Sequence, residues 1–173
     1  MRSRLPFAVL ALSSVFAVGA CAGKERPAPA ADAPVAEHEH HPPHGGTPVV
    51  LGDEVYHLEF VRDAGAGRLS AYILDGEMEN FIRSAAASFE IVATVGGERR
   101  PLVLQAVANP ATGETVGSTS LFEATADWLK ITPSFDAVLT TLDIRGTTFS
   151  AVPFNFPKGN EAAAGAAAAA RSK

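Results

Sequence analysis

The sequence predicts an all-β protein: a single β-sandwich of about seven strands, carried between a disordered N-terminal tether and a disordered C-terminal tail. Three observations predict it. Between residues 44 and 157 the apolar side chains repeat every second residue, not every 3.6. Turn-forming Gly, Pro, Asn and Asp interrupt these runs every 10 to 15 residues or so. No long stretch carries a helical stripe, which leaves strand-on-strand layering as the way to bury the apolar faces.

The strands are predicted in order. EVYHLEFV (54–61) points Tyr56, Leu58 and Phe60 to one face and Val55, His57 and Glu59 to the other. DAGAG (63–67) is a turn, and RLSAYILD (68–75) returns as the second arm of a hairpin. ASFEIVATV (87–95) alternates Phe89, Ile91, Ala93 and Val95, and the GGE turn (96–98) leads into RPLVLQAVA. NPATGETVG (109–117) is loop by composition. SLFEATAD, AVLTTLDI and TFSAVPFNF complete the set, divided by Pro133 and by the Arg145-Gly146 turn. Trp128 is expected either to open a short helical turn or to plug one end of the sandwich.

The flanks have a different composition. Residues 1–20 read as a signal peptide: Arg2 and Arg4, then the uncharged run LPFAVLALSSVFAV, which is shorter than the roughly 20 apolar residues of a membrane span. Val18, Gly19 and Ala20 before Cys21 resemble the lipobox of bacterial lipoproteins. That resemblance implies lipidation of Cys21, palmitate among the acyl chains, and export toward the periplasm. Two or more acyl chains anchor a protein stably. Ala22 after the cysteine is similar to the pattern of outer-membrane lipoproteins, with the periplasm-facing leaflet expected. Cys21 is the only cysteine, so an intrachain disulfide is excluded.

Residues 21–43 are rich in Pro, Ala, Glu and His and hold almost no large apolar side chain, so they are expected to be an extended tether. The Ala-rich residues 158–173 are expected to be a disordered tail. The whole chain has 14 basic and 19 acidic residues; without Arg2 and Arg4 the net charge is near −7. This balance argues against a nucleic-acid partner, which calls for a basic face.

Four of the five histidines lie in HEHHPPHGG (38–46). Glu37, His38, Glu39, His40, His41 and His44 offer imidazole nitrogens and carboxylate oxygens, donors suited to zinc, copper(II), nickel or cobalt. The ion needs neutral imidazole, so uptake weakens as pH falls through the ordinary histidine range. The tract is not a metalloprotease helix: Pro42 stands where HExxH needs its second histidine, and Pro42 and Pro43 forbid a helix between His40 and His44. Its alternative reading is a polar spacer. His57 and Glu59 share a strand face, and a fold-back of His44-Gly45-Gly46 onto that hairpin would bring His44, His57 and Glu59 together. Taken alone, His57 is also readable as an exposed strand histidine and HGG as a hinge.

PHGG followed by GDEVYHLEFV, a turn and AYILDG resembles a group of exported bacterial HGG proteins. Similar small domains occur alone as lipoproteins or near the N-termini of periplasmic adaptors of heavy-metal efflux pumps. The resemblance covers about residues 40 to 95 and implies an immunoglobulin-like remainder, a role in metal handling, and His44, Gly45 and Gly46 as the motif. An efflux adaptor or another envelope protein is the partner it implies. Met78 is the sole methionine outside the signal peptide, which favours divalent ions over copper(I).

No catalytic residues are expected. GSTS (117–120) is not a nucleophile elbow, no phosphate-binding glycine loop appears, and Asp75, Glu77 and Glu79 lack the ligand spacing of an EF-hand. The function predicted is binding of a divalent transition metal by a membrane-anchored lipoprotein. The alternative is a non-catalytic envelope interaction or structural module with an incidental histidine-rich linker.

Overall fold

A computed structural model of the chain describes residues 41–161. The expected signal peptide (1–20), Cys21, His38 and His40 lie outside the described residues, as do residues 162–173 of the expected tail.

The described chain is all-β. Eight antiparallel strands form one sheet: β1 (Thr47–Leu51), β2 (Tyr56–Asp63), β3 (Arg68–Asp75), β4 (Ser88–Val95), β5 (Glu98–Ala106), β6 (Leu121–Thr125), β7 (Phe135–Ile144) and β8 (Thr147–Phe156). Their spatial order is β1-β2-β3-β6-β5-β4-β7-β8. Strands β4, β5 and β6 follow one another as neighbours, and β3 lies beside β6 in a Greek-key arrangement. The expected sandwich of about seven strands is thus a continuous eight-stranded sheet that curls until its two edge strands approach. Trp128 opens a short helix, α1 (Trp128–Ile131), and packs edge-on against Phe135 at 5.2 Å.

The eighth strand is β1, TPVVL, which the sequence patterning does not single out. It is five residues long and contains Pro48, a residue confined in sheets to edges and strand starts. Alternation is also hidden, because Val49, Val50 and Leu51 are all buried. Val49 and Leu51 enter the main core, whereas Val50 pairs with His57 on the opposite face.

The core is formed from the inward residues of each strand, with Leu58 and Phe60 of β2, Ala71 and Ile73 of β3, Ile91 of β4 and Leu139 of β7 wholly buried. Phe60 stacks on Phe154 of β8 at 4.8 Å, and Phe135 on Phe156 at 5.2 Å. Each such ring buried contributes about 1.5–3 kcal/mol. The curl brings β8 back to β1, where a side chain replaces a strand pairing. Asn160 accepts from the Val50 amide through Oδ1 at 2.7 Å and donates Nδ2 to the Val50 carbonyl at 3.2 Å. Asn160→Ala should therefore lose about 1–2 kcal/mol of unfolding free energy. A denaturant melt checks this; an unchanged midpoint would show that the seam needs no such bridge.

Candidate functional site

β2 is buried on both faces over His57–Phe60. Tyr56, Leu58 and Phe60 serve the core, and His57 and Glu59 face outward, as strand alternation requires. Two segments cover this outer face. One is the approach to β1, residues 41–46; the other is the connection from β3 to β4, whose Phe81 bridges to Leu74. Val50, Leu74 and Met78 are buried outside the main core.

At the centre lies Glu59, with no exposed surface. Its Oε1 accepts from the His44 amide at 2.7 Å and from the Gly46 amide at 2.9 Å. Its Oε2 meets the His44 imidazole at Nδ1, 2.8 Å away. A buried carboxylate is costly unless its oxygens are hydrogen-bonded, and this one has three donors. A carboxylate can only accept, so Nδ1 carries a proton, and in the neutral ring Nε2 then holds the lone pair.

The local chain is shaped to deliver these donors. A turn closed by the Gly45 amide on the Pro42 carbonyl at 2.9 Å reverses the backbone ahead of β1. The prolines that exclude a helix here instead begin this turn. Gly46 then passes so close to β2 that a Cβ would lie 2.6 Å from the Phe60 carbonyl oxygen and 2.8 Å from both Glu59 Cγ and Val61 Cγ2. Only glycine permits that approach.

The His44 side chain keeps 37% exposure. Its ring stacks on Tyr72, with centroids 3.9 Å apart and planes 16° from parallel, and is tilted against Phe81 at 5.7 Å. Tyr72 lies directly across the ladder from Glu59. Burial, then the negative charges of Glu123 and Glu59, push the Tyr72 hydroxyl above its usual range and keep it protonated. Phe81 remains 47% exposed.

His44 and Glu59 thus meet, as a fold-back of HGG requires. His57 does not join them. Its strand neighbour on the ladder is Leu74, it has no exposed surface, and its Nδ1 lies 3.2 Å from the Asp75 carbonyl oxygen. The reading of His57 as an exposed strand histidine fails, because its side chain is wholly buried with Nδ1 at the Asp75 carbonyl. His41 is exposed. Among the described residues no three His, Cys, Asp or Glu side chains gather in a metal-holding group.

No protein-family model matches the chain, and neither curated proteins nor solved structures give a match.

Asp75 organises a turn: its Oδ1 accepts from the amides of Glu79 and Asn80, and its Oδ2 from the Asn80 side chain at 2.6 Å. Burial pushes its carboxyl up, but these hydrogen bonds outweigh it and the net shift is downward. A second buried carboxylate, Glu114, was not singled out by the sequence. It accepts from the amide and hydroxyl of Ser120 and from the Thr112 hydroxyl, all within 2.8 Å. Burial again pushes upward, and the Ser120 and Thr112 bonds with the Arg83 charge bring the carboxyl below its ordinary value. These contacts fold the 109–117 loop, and Ser120 is spent as a donor within it. Among the described residues no helix is long and apolar enough to cross a membrane.

Proposed function

We propose that this chain is a membrane-anchored periplasmic lipoprotein, held by acyl groups on Cys21, that binds a divalent transition metal. It serves as a buffer or as a carrier to an efflux system. His44 supplies a ligand, Nε2, held in place through Glu59, and His38, His40 and His41 supply the remaining donors. The observation that carries this reading is the 2.8 Å pairing of His44 Nδ1 with the buried Glu59 carboxylate. Metal-ligating histidines are commonly held in this way, because a carboxylate on one ring nitrogen fixes the tautomer and aims the other nitrogen, while raising its basicity. Glu59 acts through His44 and not on the ion, since its oxygens are already occupied. His57, wholly buried on the outer face of β2, is left out of the shell. Zinc, copper(II), nickel and cobalt all suit such a nitrogen-rich set.

A second reading, a non-catalytic envelope interaction module, is favoured by one observation. The same three hydrogen bonds to Glu59 fasten the start of the domain to β2, which accounts for HGG without any ligand.

Titration of zinc and of copper(II) into the full chain in detergent, with Cys21→Ser throughout to remove the thiol, separates the two. The metal reading expects a dissociation constant on the order of micromolar. It also expects at least about tenfold weakening both in His44→Gln and on deletion of residues 37–41. Affinity weaker than about 100 μM for both ions in the unsubstituted tract would leave the interaction module.

A further inference from the structure

Of the surfaces around the site, the aromatic wall beside His44 has a use that the pairing with Glu59 does not supply. A hydrogen bond to Nδ1 fixes one atom of the imidazole but leaves the ring free to rock about the line from Nδ1 to Oε2. That motion sweeps Nε2 through an arc. A planar group lying flat against the ring removes this freedom. Tyr72 does so, at 3.9 Å between centroids and 16° between planes, while Phe81 closes on the same ring at 5.7 Å with its plane tilted by 51°. Tyr72 is itself fixed, because its backbone is paired to β2 opposite Glu59 and to β6 opposite Leu121. The carboxylate and the stacking ring therefore project from directly facing positions of one ladder. They hold the same imidazole by its edge and by its face.

We infer that Tyr72 is a positioning residue for the His44 ligand nitrogen, acting through its ring face and not through its hydroxyl. The inference rests on the metal-binding reading above. A pre-aimed nitrogen spares the ordering that a loose histidine must undergo on binding, which strengthens binding without a new contact. The wall also explains why His44, and not its neighbour His41, is the ordered donor: His41 has no ring contact and no carboxylate partner among the described residues.

The test is zinc titration of the full chain carrying Cys21→Ser, with Tyr72→Phe and Tyr72→Leu compared against Tyr72, together with nitrogen NMR of the His44 ring in the metal-free state. Tyr72→Phe keeps the face and should bind zinc as the unsubstituted chain does. Tyr72→Leu keeps an apolar side chain but loses the face. It should bind about tenfold more weakly, and its Nδ1 proton should exchange faster. A purely structural role would instead lower the melting temperature of Tyr72→Leu and leave zinc affinity and the ring signal of the folded form unchanged. Unaltered affinity in Tyr72→Leu, with zinc still bound by the unsubstituted chain, overturns this inference alone. Failure of the unsubstituted chain to bind zinc overturns the metal reading and this inference with it.

Discussion

Glu59→Ala should cost about 3–5 kcal/mol of unfolding free energy, the largest loss expected from any single substitution at the site. The carboxylate has no exposed surface and is the acceptor for two main-chain amides and an imidazole. Truncation takes the acceptor from all three donors at once and leaves a gap where the carboxylate was wholly buried, and each donor so stranded away from water costs about 1–3 kcal/mol. The total is a large share of the roughly 5–15 kcal/mol that holds a domain of this size folded. Urea unfolding followed by the fluorescence of Trp128 reads the loss directly. Glu59→Gln should fall between, because one amide oxygen still serves the His44 and Gly46 amides. A loss below about 1 kcal/mol for Glu59→Ala would mean that the approach to β1 is not fastened through this residue.

Gly46→Ala carries the second large effect, about 2–3 kcal/mol, through overpacking and not through a lost partner. The added methyl would meet the Phe60 carbonyl oxygen at 2.6 Å. That oxygen belongs to a buried strand paired on both sides, to Thr47 and to Ala71, so it has nowhere to go. The segment before β1 must lift instead, which lengthens the hydrogen bond from the Gly46 amide to the Glu59 carboxylate. Gly45→Ala is the control. No atom lies within 4 Å of a Cβ there, and the cost is only that of placing alanine at a φ of +66°, about 1–2 kcal/mol. Equal midpoint shifts for the two substitutions in the same melt would remove the close-approach argument.

What was legible in the sequence, and what was not, follows from the kind of information that alternation carries. The period of two in EVYHLEFV separates His57 and Glu59 from Tyr56, Leu58 and Phe60, and the structure keeps that separation. Alternation does not say what covers the second face. His57 therefore reads equally well as an exposed histidine, although it is wholly buried. β1 escapes for a related reason: both of its faces are covered and Pro48 interrupts it, so no polar residue marks an outer side. The meeting of His44 with Glu59 was within reach because the two glycines permit a fold-back. The part Glu59 plays was not, because donor types in a sequence do not reveal which lone pairs the backbone has already taken. Tyr72 had a usable signal. Counting back from the turn between Asp63 and Arg68 sets it directly opposite Glu59, and the ladder has that register.

The HGG segment is thus a clasp in its backbone and a presented imidazole in its side chain, and both depend on Glu59. The tautomer of His44 tests this most directly, read from long-range nitrogen–proton couplings of its ring at a pH well above the ordinary histidine range. The proton should reside on Nδ1 in the unsubstituted chain. It should switch to Nε2 in Glu59→Gln, where the side-chain amide donates to Nδ1 in place of the carboxylate that accepted from it. A proton already on Nε2 in the unsubstituted chain, or a tautomer indifferent to Glu59→Gln, would contradict that dependence on Glu59.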